Sequence, residues 1–125
     1  MPDRPNHPDS LSELLGFELE ESAPGRALVS GEIRAEYLNQ HGTAHGGFVF
    51  ALADTALAVA ANSHGPEAVA ISASIHYARP ARVGDVLIAE AEEVSRSARV
   101  ASYRISVRSG EDLIAAFMGT VSRRA

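Results

Sequence analysis

The chain has 125 residues, 46% of them hydrophobic, no cysteine and a net charge of −5. This is the size of one domain with enough apolar residues for a full core. It excludes disulfides, thiolate nucleophiles and Cys-based metal centres, and the negative charge argues against general nucleic-acid binding. No run of about 20 apolar residues occurs, so no membrane span is expected. The start, MPDRPNHPDS, is polar and Pro-rich without a basic segment leading into an apolar one. No signal peptide is read there, and a cytoplasmic chain is expected.

Residues 1–9 read as a flexible segment and residues 10–125 as a single domain. Residues 10–15 fit a short helix, with Ser10 as N-cap, Glu13 three residues on and Gly16 as its stop. Residues 17–21 read as a strand and 23–26, Ala-Pro-Gly-Arg, as a turn. Residues 27–36 alternate in polarity and form a second strand. A loop over 37–44, rich in Asn, Gln, Gly and Thr, leads into one long helix over 45–63. After Gly65-Pro66 comes a strand over 68–77, then a turn, Arg79-Pro80-Ala81-Arg82-Val83-Gly84-Asp85. Three more strands follow, over 86–94, 99–108 and 113–122, the last two joined by a hairpin at 109–112. Strands with no helices between them pair mainly antiparallel. The pattern is therefore α+β, with one antiparallel sheet and one helix to cover it.

The long helix lies in the run HGTAHGGFVFALADTALAVAANSHG, residues 41–65. It is apolar on every side, as a buried helix is, and a sheet must curl around it to bury it in so short a chain. Asp54 is the one charge in its middle. An isolated buried carboxylate is costly, so Asp54 is either turned toward solvent or kept as a base or nucleophile with a tuned pKa. At the helix start, His45-Gly46-Gly47 offers N–H groups with no partner inside the helix and a backbone that a ligand can approach closely. That suits an oxyanion hole, although two glycines also serve a tight entry turn. His41 and His45 lack an intervening Glu and a third ligand, so no metal is expected, and no serine-hydrolase, P-loop or dinucleotide motif is present. His64 and His76 read as a surface and a strand histidine.

All eleven cations are arginines, and they are unevenly placed: three stand against ten acids in residues 1–78, eight against six in 79–125. Solvated strand faces account for this, and so does contact of Arg79, Arg82, Arg96 or Arg99 with an anionic ligand, which the planar guanidinium suits.

The segment Asn39-Gln40-His41-Gly42-Thr43-Ala44-His45-Gly46-Gly47, running into Leu52-Ala53-Asp54-Thr55-Ala56, resembles the phenylacetyl-CoA thioesterase (PaaI-type) branch of the hotdog superfamily. The resemblance spans residues 11–122 and includes Tyr77-Ala78-Arg79-Pro80-Ala81 and Gly84-Asp85. It implies a hotdog fold, an antiparallel sheet wrapped around one long central helix. It also implies hydrolysis of aryl-acetyl or related acyl-CoA without a cofactor. Asp54 then acts as base or nucleophile, and the Gly46 backbone N–H polarises the thioester carbonyl. His45 fixes the loop near the thioester, Asn39 positions water or substrate, and Thr55 assists the carboxylate. Outside the resemblance, Asn39 reads as a turn former and Thr55 as a helical threonine bonded to its own backbone. Gly47, Arg79, Pro80, Arg96 and Arg99 are the expected substrate contacts.

Gly46 and Asp54 are eight residues apart, about 12 Å along a helix. Both would have to lie within roughly 3 Å of the reacting atoms. One helix cannot supply both to one carbonyl, so a two-fold homodimer with antiparallel helices is expected. The last strand is apolar on both faces, from which a homotetramer built of two dimers is expected. A hotdog hydratase or dehydratase and a non-catalytic acyl-CoA-binding module are the competing readings.

Overall fold

A computed structural model describes residues 9–124; apart from Asp9, the segment expected to be flexible lies outside them. The elements are α1 (Ser10–Leu14), β1 (Glu18–Ala23), β2 (Arg26–Glu32), a 3-10 turn (Ala35–Tyr37), α2 (Gly46–Asn62), β3 (Ala68–Tyr77), β4 (Val86–Arg96), β5 (Val100–Ser109) and β6 (Asp112–Arg123). The predicted order of elements holds. The cap of α1 does not: Asp9, rather than Ser10, accepts the Leu11 N–H, at 3.0 Å. The second strand also stops at Glu32, earlier than expected. Beyond it Ile33 donates to the Asp85 carbonyl at 2.9 Å, and the chain then coils into the 3-10 turn.

All strands pair antiparallel in one sheet of order β1-β2-β4-β5-β6-β3. The sheet wraps α2, the arrangement the hotdog resemblance implies. Leu52, Ala53, Ala56, Leu57, Ala60 and Ala61 of α2 meet Val29, Leu87, Tyr103, Ile105, Phe117 and Val121 of the sheet in one core. At Gly119 of β6 the helix comes so near that a Cβ there would lie 2.6 Å from Leu57 Cδ2.

The composition of α2 predicts a helix buried on every side, but within one chain the helix is not covered all round. Phe50, Ala51, Asp54, Thr55 and Val59 are half-buried and Ala58 is exposed. The two sheet edges also differ. β1 carries Glu18, Glu20 and Glu21, whereas β3, with the sequence AVAISASIHY, has no acid or arginine and exposes Val69, Ile71 and Tyr77. The outer face of β6, expected to be apolar, shows only Ala116 and Met118 among Thr120, Ser106, Arg104 and His76.

Candidate active site

The loop before α2 is held by one side chain. Asn39 Oδ1 accepts the His41 and Thr43 N–H groups at 2.9 and 3.1 Å, and its Nδ2 donates to Thr43 Oγ1 at 3.0 Å. Gly42 completes the turn at φ +82°, a conformation that glycine adopts without strain. The turn-forming reading of Asn39 is thus the one its contacts display. The loop is then pinned on both sides. His45 N–H donates to the Tyr37 carbonyl and Ala44 N–H to the Ala81 carbonyl, both at 2.8 Å. The Arg79-Pro80-Ala81 turn is therefore brought against the start of α2.

At that start, His45 is the N-cap, and its Nδ1 accepts the Gly47 N–H at 2.8 Å. This hydrogen bond places the proton of a neutral His45 on Nε2. Gly47 is thus occupied as a donor. The Gly46 N–H has no acceptor among the described residues, and the dipole of a 17-residue helix ends on it. Tyr77 fixes this residue from the other side, its hydroxyl donating to the Gly46 carbonyl at 3.0 Å. A Cβ on Gly46 would sit 3.1 Å from that hydroxyl oxygen. Sequence reasoning gave Tyr77 no role, because an aromatic residue ending a strand reads as a strand former.

Asp54 lies half-buried two turns along α2. Burial, with the nearby Asp9 carboxylate adding to it, holds its pKa above the ordinary aspartate value. No hydrogen bond or ion pair reaches its carboxylate from the described residues. The Thr55 hydroxyl is turned elsewhere, donating to the Ala51 carbonyl at 2.8 Å and meeting Ser12 Oγ of α1 at 3.0 Å. The own-backbone bond expected of a helical threonine is present.

The expected substrate contacts Arg79, Pro80, Arg96 and Arg99 do not come together in one chain. Arg79, exposed and 3.9 Å from Asp112, and Pro80 stand at the Gly46 end of the sheet. Arg96 and Arg99 stand at the β4–β5 hairpin, where the far end of α2 is tied down by the 2.7 Å contact of His64 with Glu93. The length of α2, about 25 Å, lies between the two pairs. At that far end the expectation of a surface His64 is corrected. Its side chain is only 13% exposed and pairs with Glu93, which also accepts the buried Tyr103 hydroxyl at 3.0 Å and Arg96 Nε at 3.3 Å. Burial works against a charged Glu93, but the hydrogen bonds from His64, Tyr103 and Arg96 outweigh it and lower its pKa. Burial and then Glu93 push the Tyr103 phenol up to about 12.

A cavity of about 270 Å³ opens beside the helix start, between α1, the Tyr37–Leu38 segment and the first turns of α2. Leu11, Leu15, Tyr37, Leu38, Phe48 and Ala51 line it, with His45 and Gly47 at its edge.

A donor at a helix start and a half-buried carboxylate on one helix are groups that acyl transfer to water can use. The family model described as the Thioesterase superfamily matches residues 41–116. This chain belongs to the thioesterase superfamily. It is a hydrolase acting on thioester bonds, of the PaaI type. A mutant form of the phenylacetic acid degradation protein PaaI from Thermus thermophilus is similar in structure: 50% identity, a TM-score of 0.90, and 93% of this chain and 100% of that chain covered. The acyl-coenzyme A thioesterase PaaI of Escherichia coli is 36% identical over 92% of this chain and 83% of its own length. A protein from Streptococcus mutans, solved bound to acetyl CoA, superposes with a TM-score of 0.83 at 25% identity over 87% of this chain and 89% of that one.

Proposed function

We propose that this thioesterase hydrolyses aryl-acetyl or related acyl-CoA, at a site to which one subunit gives the Gly46 N–H and its two-fold partner gives Asp54. The observation that carries the reading is that Gly46 N–H and the half-buried Asp54 carboxylate, eight residues apart on one helix, both lack a partner among the described residues. About 12 Å of helix separates them, so a carbonyl held by one is out of reach of the other within a chain. An antiparallel partner helix brings them together twice. The acyl-CoA named for the Escherichia coli relative and the acetyl CoA bound by the Streptococcus mutans neighbour support the substrate class.

In this site the Gly46 donor takes up the negative charge that develops on the thioester oxygen. The Asp54 carboxylate, its pKa raised by burial, delivers the nucleophile, either by removing a proton from water or by attacking the carbonyl carbon itself. In the first route the proton taken from water passes to the departing sulfur, so CoA leaves as the thiol. In the second CoA leaves as the thiolate, and water then cleaves the acyl–Asp54 anhydride, which releases the acid, restores the carboxylate and supplies the thiol proton.

The uncovered side of α2 and the character of β3 support the dimer. The β1 edge is guarded by acids, and the β3 edge is uncharged, apolar and long. Antiparallel pairing of two β3 strands sets the Arg96–Arg99 end of one subunit at the Gly46–Arg79 end of the other. One CoA can then meet Arg79 of one subunit together with Arg96 and Arg99 of the other. We confine the proposal to the dimer, because the outer face of β6 presents only Ala116 and Met118 as apolar contacts.

Mixed subunits test the shared site. Asp54→Ala and Gly46→Val are each inactive on this reading. A mixed dimer has one site with both defects and one with neither. Co-refolding the two variants, each first shown to fold and dimerise, restores up to about half the activity per mixed dimer. Folded variants mixed without exchange restore none. No recovery from verified mixed dimers overturns the shared site.

A further inference from the structure

We infer that the cavity between α1 and the start of α2 seats the acyl group of the substrate, and that Ala51 and Leu15 set how large an apolar group it accepts. This rests on the thioesterase reading above and adds the chemistry of the acyl group.

The first argument is position. His45 and Gly47, the two neighbours of Gly46 in the chain, both lie on the cavity's edge. A thioester carbonyl at the Gly46 N–H therefore holds its acyl substituent at the cavity mouth.

The second is chemistry. Three leucines face an aromatic floor, in which Tyr37 stacks on Phe48 at 4.7 Å and Phe17 braces Phe48 edge-on at 5.3 Å. Among the described residues lining the cavity the one acid is Glu36, and there is no arginine. An acyl group ending in a carboxylate would lie against Glu36 and apolar side chains with no arginine to pair it, which disfavours it. About 270 Å³ lies just under the common lower size of small-molecule sites, roughly 300 Å³, so the group must be compact.

The third is how the walls are built. α1 has five residues, none buried, and reaches α2 through the 3.0 Å contact of Ser12 with Thr55. Leu11 and Leu14 of this helix remain exposed and are not spent on the protein's own core, whereas Leu15, just after it, packs partly against that core and forms the fixed wall. Ala51 is the small side chain of the floor, one turn before Asp54 and Thr55. A leucine there would project into the space.

Calorimetric titration with CoA and with S-ethyl-, S-butyl-, S-hexyl-, S-octyl- and S-decyl-CoA thioethers tests the assignment without requiring turnover. Each methylene taken from water improves affinity about fourfold, so S-hexyl-CoA binds wild type at least roughly 30-fold tighter than CoA. Ala51→Leu reduces that ratio about tenfold, and Leu15→Ala carries the gain to longer chains. A thioether ending in a carboxylate binds no tighter than CoA. Affinity independent of chain length in wild type, or the same gain in both variants as in wild type, overturns the inference. If Ala51→Leu does not fold, the chain-length profile of Leu15→Ala decides alone. Hydrolysis of hexanoyl-CoA is measured separately. A chain-length gain without any hydrolysis overturns the thioesterase reading and leaves the cavity assignment standing, whereas failure to bind CoA or any thioether overturns both.

Discussion

His45 Nδ1 accepts the N–H of Gly47 at 2.8 Å, and this one contact decides which amide of the helix start is open to a ligand. Two adjacent glycines offer two donors. The cap consumes the second and leaves the first, on Gly46, without an acceptor among the described residues.

It follows that His45 acts through the backbone. His45→Ala removes the cap, at about 1 kcal/mol, whereas His45→Asn keeps a side-chain acceptor suited to that position. Thermal denaturation should show a loss of roughly 3–5 °C for Ala and little for Asn. Turnover should fall in Ala and recover in large part in Asn. Equal loss of turnover in both variants, with Asn as stable as wild type, would point to an imidazole acting directly on the substrate.

Asp54→Asn should fold and lose the reaction, with kcat down about 10²–10⁴-fold. Its stability carries a signature in pH. Burial raises the folded-state pKa of Asp54, so folding favours the protonated form. That contribution is complete below the unfolded-state value, about pH 4, and is lost as pH rises through the folded-state value. The melting temperature of Asp54→Asn minus that of wild type should therefore be near zero in acid and positive at neutral pH. An asparagine variant less stable than wild type at pH 7 would mean that the ionised carboxylate is well paired.

Glu93 should show the opposite dependence. Its hydrogen bonds from His64, Tyr103 and Arg96 lower its pKa in the folded state. Its contribution is thus present above the unfolded-state value and lost as pH falls through the folded-state one. Glu93→Ala also leaves the buried Tyr103 hydroxyl without its acceptor, at about 1–3 kcal/mol, whereas Tyr103→Phe removes donor and need together and costs less. Melting curves between neutral and acid pH should be flatter for Glu93→Ala than for wild type, and melting at neutral pH clearly lower.

At Gly119 the expectation concerns packing alone. A Cβ there would lie 2.6 Å from Leu57 Cδ2, a side chain that is itself fully buried. Gly119→Ala should destabilise by about 1–3 kcal/mol through overpacking. Shortening the neighbour, in Gly119→Ala with Leu57→Val, should recover part of the loss. Additive destabilisation in the double variant would show that the two sites do not touch.

Much of this molecule is local, and the sequence by itself determined that part. Periodicity gave the order of elements, the helix beginning at His45-Gly46-Gly47, and β3 at its full observed extent. It also set Asp54 alone in an apolar run, since the composition of one segment is enough to make a mid-helix carboxylate conspicuous. Residues 33–36 read as strand and are not, because the contact that follows the end of β2 comes from Asp85, some fifty residues on in the sequence. The same reason limits the site. Only the folded chain decided that Gly47 is occupied and Gly46 is not, that Tyr77 braces the helix start, and that His64 is enclosed with Glu93. It also decided that Arg79 and Arg96 stand at opposite ends of α2. Each depends on which strand lies beside which, and the order β1-β2-β4-β5-β6-β3 places β3 beside β6, out of sequence. Side-chain pattern specifies which face of a strand is buried; which strands become neighbours is settled by how the sheet closes around the helix, and that is a property of the whole core.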